Sequence, residues 1–260
     1  MAGNENIFSA LDLMIQKNDV ITKSLDFKYP QCILELTDSY IARRCINIHK
    51  MFVTIRGLLE YSNDECSINS LLRVVADHTA TLILIYESPT IEEVSLRQYL
   101  SFADGVNERI KALESSEIGK NSPILEELYK ERKKDIEYVR ANPLYKENTQ
   151  IIDKFIEKYQ WKYRDFNSTS KYSWTDLYRE KLNMPNDYIQ YLSQYVHGLA
   201  SSTNIQDEEI SRATMITLAT LICMKFSYFL WRATNSIPSD AETDFLQSLI
   251  KMFDTTPKQN

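Results

Sequence analysis

The sequence predicts an all-α protein, a multi-helix bundle built from long helices. Only 5 glycines and 7 prolines occur among the 260 residues, whereas average usage would make them about 12% of a chain. Sheet-rich folds depend on these residues for their many turns. Apolar residues instead return at helical spacing over long segments, with helix-start motifs between them. The composition therefore favours long helices joined by few turns.

Four helices are predicted in the first half of the chain, each followed by a polar or proline-containing break. Their bounds are Ile7 to about Ser24, a segment after Pro30 to about Tyr61, Cys66 to about Tyr86, and Thr90 to about Ser115. The second is a continuous run of three-, four- and seven-residue apolar spacings. The fourth opens with Thr-Ile-Glu-Glu at 90–93, which is a capping box.

Charged helices are predicted next. Ser122-Pro123 is a start signal, and from Pro123 to Asp165 cations and anions alternate in nearly equal numbers. This pattern is typical of a solvated helical pair, which Asn142-Pro143 breaks in the middle. We expect one helical domain over residues 1–260, with this pair at about 123–165 projecting from the bundle.

The last part of the chain carries one loop and four helices. The segment FNSTSK at 166–171 is the predicted loop, and Ser173 to Asp176 form a capping-box-like start. The first of these helices is short and begins at Trp174. The other three extend from Asp187 to Val196, from about Asp207 to Ala233, and from Ser239 to Phe253.

Charge and cysteine usage restrict the setting and the partners. The formal net charge is -6, so the surface as a whole has no preference for nucleic acid or anionic lipid, although a local basic pocket remains open. Four dispersed cysteines support neither a zinc ribbon nor a disulfide framework. The apolar stretch from Ala213 to Trp231 contains Lys225, which favours a buried helix over a membrane span. We expect a cytoplasmic protein that does not contact membranes.

Several kinds of site are excluded by the spacing of the residues. The five glycines never lie within ten residues of one another, so the dinucleotide fingerprint, the P-loop and a kinase-type glycine loop are all missing. GxSxG and HExxH are missing as well. We expect no metal and no cofactor. Histidine chemistry is restricted to His49, His78 and His197, of which His49 is expected to be a surface or interhelical residue.

Two polar groups stand out on these helices. Arg73, Asp77 and His78 interrupt the segment 71–85, which is otherwise apolar on nearly every face. A buried guanidinium needs a carboxylate or an anionic ligand, so either Arg73 and Asp77 form an internal ion pair or the group lines a recessed anion pocket. His197 shares a helix side with Ser193, and it either caps the helix end or belongs to a site.

Two sequence blocks resemble a family of bacterial helical proteins of uncharacterised function. They are residues 71–86, and WTDLYRE at 174–180 followed by YLSQYVHG at 191–198. More distantly, the chain resembles the HEPN superfamily of helical bundles, some of which are metal-independent ribonucleases with an Arg-x4-6-His motif. Arg73-x4-His78 and Arg44-x4-His49 match that spacing. The resemblance implies a histidine that removes the 2′-hydroxyl proton and an arginine that neutralises phosphate charge.

Two functions are compatible with these features. The first is a helical interaction protein without established catalysis. The alternative is a HEPN-like metal-independent ribonuclease, or an RNA- or nucleotide-binding protein, whose catalytic residues are Arg73 and His78 or His197. The accompanying binding residues are Asp77, Tyr191 and Ser193. Five residues along a continuous helix turn by about 140°, so Arg73 and His78 share one pocket only if the helix breaks or a dimer forms. We expect a homodimer, and the sequence leaves the question of enzyme activity open.

Overall fold

The computed structural model describes residues 2–62, 64–196 and 208–234. Within these ranges the chain forms eleven α-helices, which confirms the all-α multi-helix prediction, and one isolated β-bridge between Tyr163 and Lys171. The helices are α1 Ala2–Lys28, α2 Thr37–Tyr61, α3 Glu65–Tyr86, α4 Ile91–Glu114, α5 Glu117–Lys120, α6 Ile124–Ala141, α7 Pro143–Glu147, α8 Thr149–Glu157, α9 Trp174–Leu182, α10 Asn186–Val196 and α11 Glu208–Ala233. The predicted helix Ser239–Phe253 lies outside the described residues, as does Gly198, which was expected to cap the C-terminus of a helix.

Side-chain caps form at the predicted starts Thr90 and Ser173, but not at Ser122-Pro123, where Pro123 is the N-cap of α6 and no side chain caps the helix. Thr90 Oγ1 accepts from the backbone N–H of Glu93 at 3.2 Å and so opens α4. Asn142 ends α6, and its side chain accepts from the N–H of Leu144 at the start of α7. Ser173 and Asp176 form the complete reciprocal capping box of α9. These contacts satisfy backbone donors that the first turn of a helix leaves free.

Three predicted helices have wrong bounds. The first was expected from Ile7 to about Ser24, but α1 extends from Ala2 to Lys28. The helix expected directly after Pro30 begins only at Thr37, because the Ser39 hydroxyl binds the carbonyl of Gln31 and the N–H of Ile33 and holds that segment in a turn. The charged pair was expected to be helical to Asp165, but α8 ends at Glu157. Two residues later Tyr159 has a left-handed φ of 48°, which does not continue a helix.

The chain divides into two compact units. The first comprises Met1–Thr79 and Met184–Asn260, and the second comprises Ala80–Asn183. In the first unit α1 packs against α2 and α11, with Phe52 stacked on Phe226 at 5.7 Å. In the second unit α4 and α6 pack along each other over a small core of Val106, Ile110 and Leu128. The single domain and the projecting charged pair stay predictions.

Among the residues that the structure describes, two helices are long and apolar enough to cross a membrane by length and composition alone. They are α3 and the segment Ser211–Ala233, but 61% and 67% of their apolar windows are buried within the structure. The core helix of a globular protein has the same composition. The burial of the second segment agrees with the buried helix predicted there.

Candidate functional site

Arg73 and Asp77 lie one turn apart on α3 and form an ion pair. Arg73 Nη1 is 3.3 Å from Asp77 Oδ1, and the two side chains are 14% and 32% exposed. The helix is continuous from Glu65 to Tyr86. The internal ion pair that the sequence allowed is therefore present, and a carboxylate partially neutralises the guanidinium charge.

His78 is half-buried on the same unbroken helix. Its position five residues after Arg73 turns it by about 140° from that side chain. Burial, and to a smaller extent the positive charge of Arg44 on α2, together lower the pKa of His78 to about 4. The imidazole is therefore neutral at pH 7. The cation that acts on it belongs to α2 and not to the Arg-x4-His pair of α3.

The two residues of the second Arg-x4-His match, on α2, also lie in different environments. Arg44 Nη1 donates to the Tyr40 hydroxyl at 3.5 Å, and within the described residues its buried Nε has no hydrogen-bond partner. His49 is buried, with Nε2 3.4 Å from Asp19 Oδ1 on α1. Burial lowers the pKa of His49, and Asp19 partly opposes that shift. His49 is thus an interhelical residue, one of the two positions expected for it.

Tyr191 connects α10 to α3 through a short chain of hydrogen bonds. Its hydroxyl accepts from Asn69 Nδ2 at 3.3 Å and from the Tyr195 hydroxyl at 3.2 Å. The Ser193 hydroxyl donates to the carbonyl of Ile189, four residues earlier, at 2.8 Å. Burial is the main reason why the pKa of Tyr195 is raised. Both candidate binding residues on α10 therefore have partners, and His197 lies outside the described residues.

Asn69 is a member of this cluster that sequence reasoning missed. It is fully buried, and its Oδ1 has no hydrogen-bond partner among the residues described. Asn69, Arg73 and Asp77 recur every four residues, which places them on one face of α3. That spacing is the signal that identifies Asn69 as part of the polar face.

Arg97, also missed at the sequence level, is the centre of a second polar cluster, in the second unit. Its side chain is 4% exposed, compared with 14% for Arg73. It donates to Glu93 Oε1 from Nε at 3.1 Å and from Nη2 at 2.8 Å. Its Nη1 donates to the carbonyls of Trp161 and Tyr163 at 3.2 and 2.9 Å. The guanidinium also lies 3.9 Å from the centroid of the Tyr163 ring, so it fastens the segment after α8 to α4.

Metal and thiol chemistry has little support in the described residues. Among them, no group of three or more histidine, cysteine, aspartate or glutamate side chains is arranged to hold a metal ion. Cys45 and Cys223 are buried free thiols, and burial raises the pKa of each to about 12. They are protonated at neutral pH, a form that is a poor nucleophile and a poor metal ligand.

No protein-family model matches this chain, and no curated protein or solved structure is significantly similar to it. The HEPN-like relationship stays a prediction.

Proposed function

We propose that this chain is a helical interaction protein and that its α3 polar cluster is structural rather than catalytic. One observation carries the proposal: Arg73 is ion-paired with Asp77 at 3.3 Å on an unbroken helix. A ribonuclease of the HEPN type needs its arginine and histidine to converge on one phosphate. On a continuous α3 the two side chains diverge by about 140°.

The titration of His78 supports the same reading. A general base is most effective when its pKa lies near the working pH, whereas burial lowers the pKa of His78 to about 4. The Asp19 carboxylate partly opposes the effect of burial on the pKa of His49. In contrast, burial and the cation of Arg44 both lower the pKa of His78. Its imidazole is therefore a weak base at neutral pH.

The test is RNA cleavage without metal. Wild type, Arg73→Ala, His78→Gln and His197→Ala are incubated with labelled single-stranded RNA in excess chelator, and products are resolved on a denaturing gel. We expect all four proteins to leave the RNA intact. Circular dichroism of each variant verifies that it is folded. Cleavage by wild type that is abolished in Arg73→Ala, His78→Gln or His197→Ala would overturn the proposal.

A second candidate is the HEPN-like metal-independent ribonuclease with Arg73 and His78 or His197, and one observation favours it. Arg44 adds a cation from α2 close enough to lower the pKa of His78, and its buried Nε has no partner in the described part of the chain. A phosphate oxygen would satisfy such a donor. If this candidate is correct, Arg44→Gln abolishes cleavage in the same assay.

The proposed interaction protein is a homodimer. Light scattering coupled to size-exclusion chromatography measures its mass directly, and a mass of one chain at micromolar concentration contradicts this part of the proposal.

A further inference from the structure

The second unit contains an open groove between α6, α8 and the turn that follows α8. Its volume is about 340 Å³, which lies within the range of small-molecule sites, roughly 300–1,000 Å³. We call it the α6–α8 groove. It is lined by Tyr129, Arg132, Lys133, Ile136, Glu137, Arg140, Ile156 and Tyr159.

One face of α6 supplies most of the groove. Its lining residues begin at Tyr129 and return three, four, seven, eight and eleven positions later, which is the spacing of one helix face. Leu128 and Val139 are buried on another face of the helix. The groove face is therefore the solvent side of a helix that the core holds in place.

Cations outnumber carboxylates in this groove. Lys133 and Glu137 form a long pair at 3.9 Å with side chains that are 79% and 64% exposed, so their attraction is weak. In the described part of the chain neither Arg132 nor Arg140 has a carboxylate partner. Arg132 Nη1 donates instead to the neutral Asn107 Oδ1 at 2.7 Å, which orients the guanidinium.

Nearby carboxylates are bound by tyrosine hydroxyls. Glu114 accepts from the hydroxyl of Tyr129, and Asp153 accepts from Tyr145 at 3.0 Å. Both carboxylates keep their charge but lie outside the lining, in which Arg132, Lys133 and Arg140 face the single carboxylate of Glu137. The lining itself therefore has an excess of positive charge in a chain of net charge -6. Such a local excess attracts an anion.

Two tyrosine rings flank Arg132. Its guanidinium carbon lies 5.2 Å from the ring centroid of Tyr129 and 5.9 Å from that of Tyr159. Tyr159 has a φ of 48°, and the N–H groups of Tyr159 and Gln160 bind the carbonyls of Ile156 and Phe155. This is the left-handed position after a helix that glycine usually occupies. A tyrosine there is conformationally costly, and strained residues concentrate at functional sites.

We propose that the α6–α8 groove binds a nucleotide. Arg132 and Arg140 hold the phosphate, since guanidinium groups form charge-assisted hydrogen bonds with phosphate oxygens. The tyrosine rings stack on the base, and Ile136 and Ile156 provide the apolar floor. This inference goes beyond the interaction-protein proposal because it names a ligand and a place. The nucleotide is either free or one unit of a single-stranded RNA, and both present the same chemistry.

Binding measurements on the full chain test this site. Calorimetry with AMP, adenosine and inorganic phosphate is combined with fluorescence anisotropy of a labelled 12-nucleotide RNA. The variants are Arg132→Gln with Arg140→Gln, and Lys130→Gln as the matched control, because Lys130 is exposed on the same helix but does not line the groove. We expect the double variant to weaken AMP binding at least tenfold, the order expected when charge-assisted hydrogen bonds are lost. Lys130→Gln should stay within about twofold of wild type, since it removes an exposed charge that does not line the groove.

The ligand series distinguishes a free nucleotide from an RNA strand. It also separates the contribution of the phosphate from that of the base. RNA that binds more tightly than AMP, with the same sensitivity to the double variant, identifies a strand as the natural source, and the reverse order identifies a free nucleotide. Phosphate that binds as tightly as AMP overturns the role of the base. Equal weakening by Lys130→Gln, or no binding of AMP and RNA to wild type, overturns the site.

Tyr159→Gly provides a second variant that does not depend on removing charge. Glycine accepts the left-handed backbone without strain, so the turn is retained while the ring is lost. We expect weaker AMP binding, unchanged phosphate binding and an unaltered helical circular dichroism spectrum. AMP binding equal to wild type contradicts the proposed stacking.

Discussion

Arg97 should be the most costly arginine to replace in the second unit. Arg97→Met keeps an unbranched side chain of similar length but removes every donor. The Glu93 carboxylate, 15% exposed, then loses both of its hydrogen bonds from Arg97, and the carbonyls of Trp161 and Tyr163 lose theirs. Each buried acceptor left without a partner costs about 1–3 kcal/mol, and breaking a buried ion pair costs about 3–5 kcal/mol. We therefore expect the free energy of unfolding to fall by about 3–5 kcal/mol.

Urea denaturation followed by circular dichroism measures this loss. Arg109→Met is the matched control, since Arg109 is 61% exposed and 3.7 Å from Glu131, and it should cost less than about 0.5 kcal/mol. Adding Glu93→Gln to Arg97→Met removes the uncompensated charge and should restore about 1–2 kcal/mol. A loss below 1 kcal/mol in Arg97→Met, or an equal loss in Arg109→Met, would refute the view that this cluster secures the segment after α8.

Three further predictions concern stability. Asn18→Ala leaves the Trp231 indole N–H without its partner at 3.1 Å, removes the bond to the Ser227 hydroxyl at 2.8 Å and should cost about 2–4 kcal/mol in urea denaturation. His78→Gln should flatten the pH dependence of stability: because burial lowers the pKa of His78 from 6.5 to about 4, the unfolded chain takes up this proton first. Wild type therefore loses stability as pH falls from about 6.5 to 4, by about 2 kcal/mol after allowance for the exposed part of the ring. Ser173→Ala removes the cap of α9 and should lower the free energy of unfolding by about 1 kcal/mol.

Each of these has a control and a contradicting outcome. Gln16→Ala changes an exposed position of α1. If it lowers the free energy of unfolding as much as Asn18→Ala does, the loss in Asn18→Ala does not come from the hydrogen bonds of Asn18. An acid profile of His78→Gln that parallels wild type between pH 6.5 and 4 would mean that this histidine titrates normally in the folded chain. Thr175→Ala, at an exposed position of α9, should be nearly silent. If it costs as much as Ser173→Ala, the capping box is not what stabilises the start of the helix.

The local elements were the most predictable part of this protein. The breaks at Pro89 and Asn142, and the capping box at Ser173, follow from residues within one turn of each other, so adjacent letters contain the whole signal. The end of α8 was not predicted, because the residue that ends the helix carries no local signal of its conformation. The left-handed residue there is Tyr159, and a tyrosine gives no warning of a conformation that normally calls for glycine.

The candidate site was predictable only in part. The Arg73–Asp77 pair depends on a spacing of four along one helix and could be inferred from the sequence. The proximity of Arg44 to His78, and the contact of Asn69 with Tyr191, join residues of different helices. The spacing of residues along the chain does not specify which residues of different helices come into contact.

The sequence by itself determined that this chain is helical, where most of its helices begin and end, and which motif-based sites it lacks, because periodicity, caps and motif spacing are local properties. Only the tertiary structure decided which arginine is enclosed. Arg97 and Arg73 both have a carboxylate four residues before or after them, yet Arg97 is the more enclosed because the carbonyls of Trp161 and Tyr163 are folded over it. Burial is a property of the segments that pack against a residue, and these are more than sixty residues away along the chain.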